Sequence, residues 1–107
     1  MYYKSQRSRE CDIPQKVKRK VWERDGCRCI ICGAPGAPNS HYIKRSQGGL
    51  GIEENIVTMC IYCHNAYDGV AYKRLEPQVR AYLKSKYPGW NPRKLIYRRN
   101  NNGKSEL

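Results

Sequence analysis

The chain contains no phenylalanine, only two histidines, and nine acidic residues against 21 basic ones in 107. Nowhere does it approach the ~20 consecutive apolar residues of a membrane-spanning helix. Each shortage excludes something. Without Phe, the core must be built from nine Tyr, two Trp and scattered Ile, Val and Leu. Without a long apolar run, a helical membrane anchor is excluded and no membrane partner is expected. The residues from Met1 to Arg7 lack the apolar centre of a secretory leader. The expected setting is therefore cytoplasmic, where thiols stay reduced.

The shortage of acids is uneven. Residues 1–24 carry eight Lys/Arg against three Asp/Glu, residues 25–70 three against four, and residues 71–107 ten against two. A nearly neutral centre is thus flanked by two basic arms, giving the net charge of +12. Such an excess favours nucleic acid bound through its phosphates. A solvated basic surface is the plainer reading of any charge run. A membrane-surface helix fits less well, because neither arm sets its charge against a broad apolar face.

What is plentiful is cysteine, six in a short chain. Cys29/Cys32 and Cys60/Cys63 form two Cys-x-x-Cys pairs separated by 27 residues. Each pair lets two thiolates of one turn reach one ion, and two pairs complete a tetrahedron, so structural zinc is expected over disulfides. A core of this size is only modestly stabilising, and a metal staple suits it. Cys11 and Cys27 are left over as free thiols. The clamp alone specifies folding and not function, since such knuckles occur in nucleases, transcription factors and interaction modules alike.

The chain divides into four stretches: a basic flexible tail over 1–12, a zinc-clamped core over 13–70, a basic helix and return segment over 71–99, and a disordered tail over 100–107. Pro14 suits a helix start, with Asp12 as its N-cap, and Val17, Val21 and Trp22 recur at helical spacing before Asp25-Gly26 stops the helix. Ala34 to Asn39 reads as a Pro/Gly loop. Strands are expected at 41–44 and 55–59, joined by a wide glycine-rich loop around 46–51. A helix follows from Ile61 to about Tyr67. A last amphipathic helix spans roughly 73–87, marked by Leu75, Val79, Tyr82 and Leu83 and stopped by Pro88-Gly89. Trp90 and Leu95 to Tyr97 are placed to fold back on the core.

The ordered set from Arg24 through Cys29 and Cys32, then His41 with Gly48-Gly49, then Glu54-Asn55 and Cys60-x-x-Cys63-His64, closely resembles the HNH endonuclease family. It is most similar to the small HNH proteins of bacteriophages, over about Val17 to Asp68. The resemblance implies an α+β, zinc-stapled ββα-metal fold with flanking N- and C-terminal helices, and a metal-dependent DNA endonuclease that nicks or cuts phosphodiester bonds. Carried over by position, His41 matches the general base and Asn55 the asparagine that holds the loop carrying it. His64 matches a ligand of the catalytic ion, Mg²⁺ or Mn²⁺, with Asp68 one helical turn further on as a second ligand. The residue before the base is often a metal-binding Asp or His in the family; here it is Ser40. DNA contacts are expected from Lys44, Arg45, Lys73 and Arg74, mainly to the phosphate backbone. No protein partner is identifiable.

Plainer readings stand beside these. A histidine at a strand edge is commonly structural, and Asn55 can simply cap a turn. His64 could compete with Cys63 for zinc, and Asp68 could cap its helix with Gly69. Arg45 could be solvated. Trp22 and Trp90 are read as core rather than as base-stacking surface. The main functional alternative is a zinc-dependent DNA-binding module with a degenerate, inactive HNH site; a zinc-held protein-interaction adaptor is a third class.

Overall fold

A computed structural model describes residues 5–98. Its centre is a two-stranded antiparallel sheet with helices packed around it, the expected α+β architecture. In chain order the elements are α1 (Gln6–Cys11), α2 (Gln15–Arg24), β1 (Ala37–His41), β2 (Ile56–Met59), α3 (Ile61–Tyr67) and α4 (Tyr72–Lys86). Single 3₁₀ turns lie at Arg45–Gln47, Glu53–Asn55 and Pro92–Leu95. No helix among the described residues is long and apolar enough to cross a membrane.

The N-terminal stretch departs from the expected loose tail. Residues 6–11 form α1, with Ser5 capping its start and Cys11 buried at its end. Helical periodicity is absent there, and tertiary contacts hold the helix instead: Arg7 Nη2 donates to Ser46 O, and Gly51 N to Glu10 O. Asp12 terminates α1 rather than capping α2; the cap of α2 is Pro14, whose carbonyl accepts from Val17 N and Lys18 N. The helix ends as expected at Asp25-Gly26, with Gly26 at φ 68°.

β1 starts and stops earlier than expected, covering 37–41 rather than 41–44. The supposed Pro/Gly loop contributes its second half to the sheet. Pro38 is tolerated because the strand is irregular at that point: the register slips between Ala37↔Met59 and Ser40↔Val57. Gly36 makes the approach to β2 close enough that a Cβ there would lie 2.7 Å from the Met59 carbonyl carbon. β2 is buried along its whole length and leads directly into Cys60, the N-cap of α3.

An ion-paired corner joins α2 to the rest. Arg24 binds Asp25 at 2.7 Å and also donates to the carbonyls of Glu53 and Ile56 and to the Tyr87 hydroxyl. Asp25 in turn accepts from Thr58 N at 2.8 Å and from the Tyr82 hydroxyl. Both charges are nearly sealed from solvent, so each depends on the other.

Leu75, Val79 and Leu83 of α4 fall at i, i+4, i+8 and form its buried stripe. The segment after α4 folds back as anticipated. Leu95 is buried, Leu50 N donates to Leu95 O, and Tyr97 N to Gly48 O. Trp90 stacks edge-on against Tyr42 and donates from Nε1 to Glu54 O. Trp22 is not core: it is 43% exposed on α2. The tail over 100–107 lies outside the described residues.

Candidate metal centre and histidine site

The four cysteines expected to clamp zinc converge. The Sγ atoms of Cys29, Cys32, Cys60 and Cys63 all lie within 4.8 Å of one another, and Cys32 and Cys60 are 3.6 Å apart. A tetrahedron of ~2.3 Å Zn–S bonds has edges of ~3.8 Å, so the donor set fits zinc, while a disulfide would need ~2.05 Å. Backbone amides already point at two sulfurs: Ile31 N at Cys29 Sγ and Cys63 N at Cys60 Sγ, both 3.4 Å. Burial opposes the Cys29 thiolate, but amides of Cys32, Cys60 and Ile31 outweigh it and bring the pKa down to about 7. Burial instead pushes the Cys63 thiol up. Thiolates are what a metal takes up, and zinc here would be a folding element. Among the described residues, no other group of three or more His, Cys, Asp or Glu could hold an ion.

His64 stands one residue past Cys63 in α3, so the clamp fixes its helix. Its Nε2 lies 3.2 Å from Asp68 Oδ2, the i,i+4 pair that the spacing anticipates. The third member is Lys44, expected from the sequence as a DNA contact rather than as a partner of Asp68. Lys44 Nζ binds Asp68 Oδ1 at 3.0 Å and the Tyr67 carbonyl at 3.1 Å, and lies 4.4 and 4.8 Å from the ring centres of Tyr67 and Tyr72. The ammonium is therefore seated on two aromatic faces and a carboxylate. The aromatic signal was present in the sequence, since Tyr67 adjoins Asp68 and Tyr72 opens the next helix.

His41 is the last residue of β1, opposite Ile56. Its Nε2 lies 2.9 Å from the carbonyl oxygen of Cys11. A carbonyl can only accept, so Nε2 carries the proton and Nδ1 is left bare. Burial lowers the imidazole pKa from its ordinary value, against the raising effect of that carbonyl; Arg45 and His64 lower it further. The ring is therefore neutral at pH 7.

The loop after His41 is stitched by Asn55, which is 0% exposed. Its Oδ1 accepts from Ile43 N at 2.8 Å, and its Nδ2 donates to Ile43 O at 3.2 Å and Leu50 O at 2.9 Å. One amide thus clips both ends of the 43–50 loop. Gly49 makes the clip fit, because a Cβ there would lie 1.7 Å from Ile43 O.

Ser40 is buried rather than open to the surface. It is 1% exposed, and its hydroxyl has no partner among the described residues. Arg45 is engaged rather than free: Nη1 pairs with Asp12 at 2.7 Å and Nη2 donates to Ser8 O and Oγ. Lys73 and Arg74 are exposed on the first turn of α4.

Residues 29–68 match the family model described as HNH endonuclease. No curated protein and no solved structure matches the chain. The resemblance read from the residues is borne out over that segment, which contains every cysteine of the clamp and both histidines.

Proposed function

We propose that the protein is a metal-dependent DNA endonuclease of the HNH kind. The observation that carries this reading is the fixed tautomer of His41. With Nε2–H committed to the Cys11 carbonyl and the ring neutral, Nδ1 is the only basic atom of the side chain. In the proposed reaction, Nδ1 takes a proton from water, the water oxygen bonds to phosphorus, and the bond to the 3′ oxygen breaks, that oxygen taking a proton from solvent. The products are a 5′ phosphate and a 3′ hydroxyl. The Cys11 carbonyl then accepts a hydrogen bond from the imidazolium and steadies its charge.

Asn55 acts through position: it holds the 43–50 loop that follows the base. His64 and Asp68 would hold one divalent ion, with Mg²⁺ or Mn²⁺ best suited to so few protein ligands. Such an ion neutralises phosphate charge and stabilises the leaving oxygen. The basic arms, including Lys73 and Arg74, supply sequence-tolerant affinity for the phosphate backbone.

A second reading has its own observation. Lys44 already neutralises Asp68, and Ser40 offers no ligand, so the frame could serve a zinc-dependent DNA-binding module without chemistry. One assay separates the two. Supercoiled plasmid is incubated with the protein and Mg²⁺ or Mn²⁺, beside a His41→Ala variant. Nicking by the wild type and none by His41→Ala, with unchanged DNA binding, is the expected outcome. Retention of the plasmid in a gel shift without nicking supports the binding module, and equal nicking by both proteins overturns the role of His41.

A further inference from the structure

Among the described residues, Trp22 and Tyr62 are large aromatics that the fold leaves exposed, and Trp22 is the one beside a cleft. On α2 it belongs to a stripe of Gln15, Lys18, Arg19, Trp22 and Glu23, spaced i, i+3, i+4, i+7, i+8, so all five share one face. With Pro38 of β1 they line an open cleft of about 460 Å³. That volume falls within the ~300–1,000 Å³ of small-ligand clefts. Among the described residues the indole makes no hydrogen bond or ring contact, whereas Trp90 is stacked and hydrogen-bonded.

The lining has an order. Lys18 and Arg19 sit a turn before Trp22, and Glu23 follows it. The cations suit a phosphate. Beside Trp22 the Glu23 carboxylate repels phosphate but accepts from an exocyclic amine, and Gln15, a turn before the cations, can pair with a base edge. Between them, an indole face and a proline ring form the two apolar surfaces on which a flat ring stacks. We propose that this cleft takes one unpaired nucleobase of a DNA strand, stacked on Trp22, with a flanking phosphate on Lys18 and Arg19. The proposal rests on the nucleic-acid reading above but concerns a separate contact. The cleft would therefore bind a frayed, flipped or single-stranded base.

The test uses the full-length zinc-loaded protein without added Mg²⁺, and a fluorescein-labelled single strand of about 12 nucleotides, within the usual site size of such grooves. Binding is read by anisotropy for this strand and for its blunt duplex. Trp22→Ala is expected to weaken single-strand binding roughly tenfold or more, and Trp22→Phe to retain most of it. Duplex binding should change less than about twofold. Because Trp22 is partly exposed, Trp22→Phe should melt close to the wild type, and a melt of each variant shows that it is folded at the temperature of the binding assay. Independently, single strand should quench the wild-type tryptophan emission, while the emission of Trp22→Phe, which comes from Trp90 alone, stays constant.

Loss of affinity for both DNA forms equally, or for neither, overturns the cleft. If the wild type binds duplex, and cleaves it once Mg²⁺ is added, but ignores the single strand, the cleft proposal falls and the nuclease reading stands. If it binds no DNA of either form, both fall. If Trp22→Ala converts a wild-type dimer to a monomer, the occupant is a second copy and the base assignment is overturned.

Discussion

Removing the Asn55 side chain tests the geometry of the histidine site most directly. In Asn55→Ala, three groups lose partners at a fully buried position: Ile43 N, Ile43 O and Leu50 O. An orphaned buried polar group costs ~1–3 kcal/mol, and carbonyls tolerate it better than amides. A sum of about 3 kcal/mol follows, with the Ile43 amide the largest part. For a domain of this length each kcal/mol moves Tm by ~4–8 °C, so the variant should melt roughly 12–24 °C lower. The damage should be local first. Amide exchange should accelerate at Ile43, Gly48 and Gly49, whose N–H groups close the loop, while the amides of α4 keep their order of protection. Asn55→Asp sharpens the argument. Its carboxylate still accepts from Ile43 N, but the former donor becomes an acceptor facing two carbonyls. The folded state disfavours the charge, so the new carboxyl pKa is raised above the unfolded value of ~3.9. Stability is then present at low pH, where the proton can donate to a carbonyl, and is lost as pH rises through the raised pKa. Thermal melts and hydrogen exchange read both variants. If Asn55→Ala melts within about 1 kcal/mol of the wild type and Ile43 exchanges no faster, the clip carries no load and the reasoning is refuted.

Three further outcomes follow. Cys60→Ser, or zinc removal by a chelator, should unfold the centre, because Cys60 both closes the clamp and caps α3; an unchanged melt and unchanged circular dichroism would contradict the clamp. The acid limb of kcat/KM for DNA cleavage should lie below 6.5, since burial lowers the His41 pKa from that value and a lowered pKa keeps the base unprotonated further into acid; a limb at or above 6.5 would contradict the assignment. Gly49→Ala should cost at least as much as Asn55→Ala, because a Cβ only 1.7 Å from Ile43 O forces backbone movement; a melt equal to the wild type would show that the loop has slack.

The elements that the sequence disclosed were those whose local chemistry and packing agree. α3 and α4 follow from apolar spacing and from stop signals at Asp68-Gly69 and Pro88-Gly89, and they lie within a residue of expectation. The cysteine clamp was legible because zinc allows few spacings. β1 was misplaced because Pro38 and Asn39 speak against a strand, and only the bulge and the β2 partner admit them. α1 was invisible because its stability comes from contacts some 40 residues away, such as Arg7 on Ser46. The core assignment of Trp22 failed because periodicity marks a helix without saying which aromatic faces inward; Val21 took that place. Lys44 on Asp68 could not be foreseen, since the pair joins a strand exit to a helix end 24 positions later.

The bond from His41 to the Cys11 carbonyl has a consequence for the order of assembly. The four clamp cysteines and the paired residues of β1 and β2 all lie within residues 29–68, so neither the clamp nor the strand pairing draws on α1. The tautomer of His41, by contrast, is set from 30 positions upstream, when α1 docks through Arg7, Arg45 and Gly51. The strand pairing and the tautomer are thus set by different parts of the chain. With α1 undocked, the histidine would lose the acceptor that fixes its tautomer. On the proposed reading, docking of α1 is then a condition for a correctly protonated base, separate from the contacts that build the sheet.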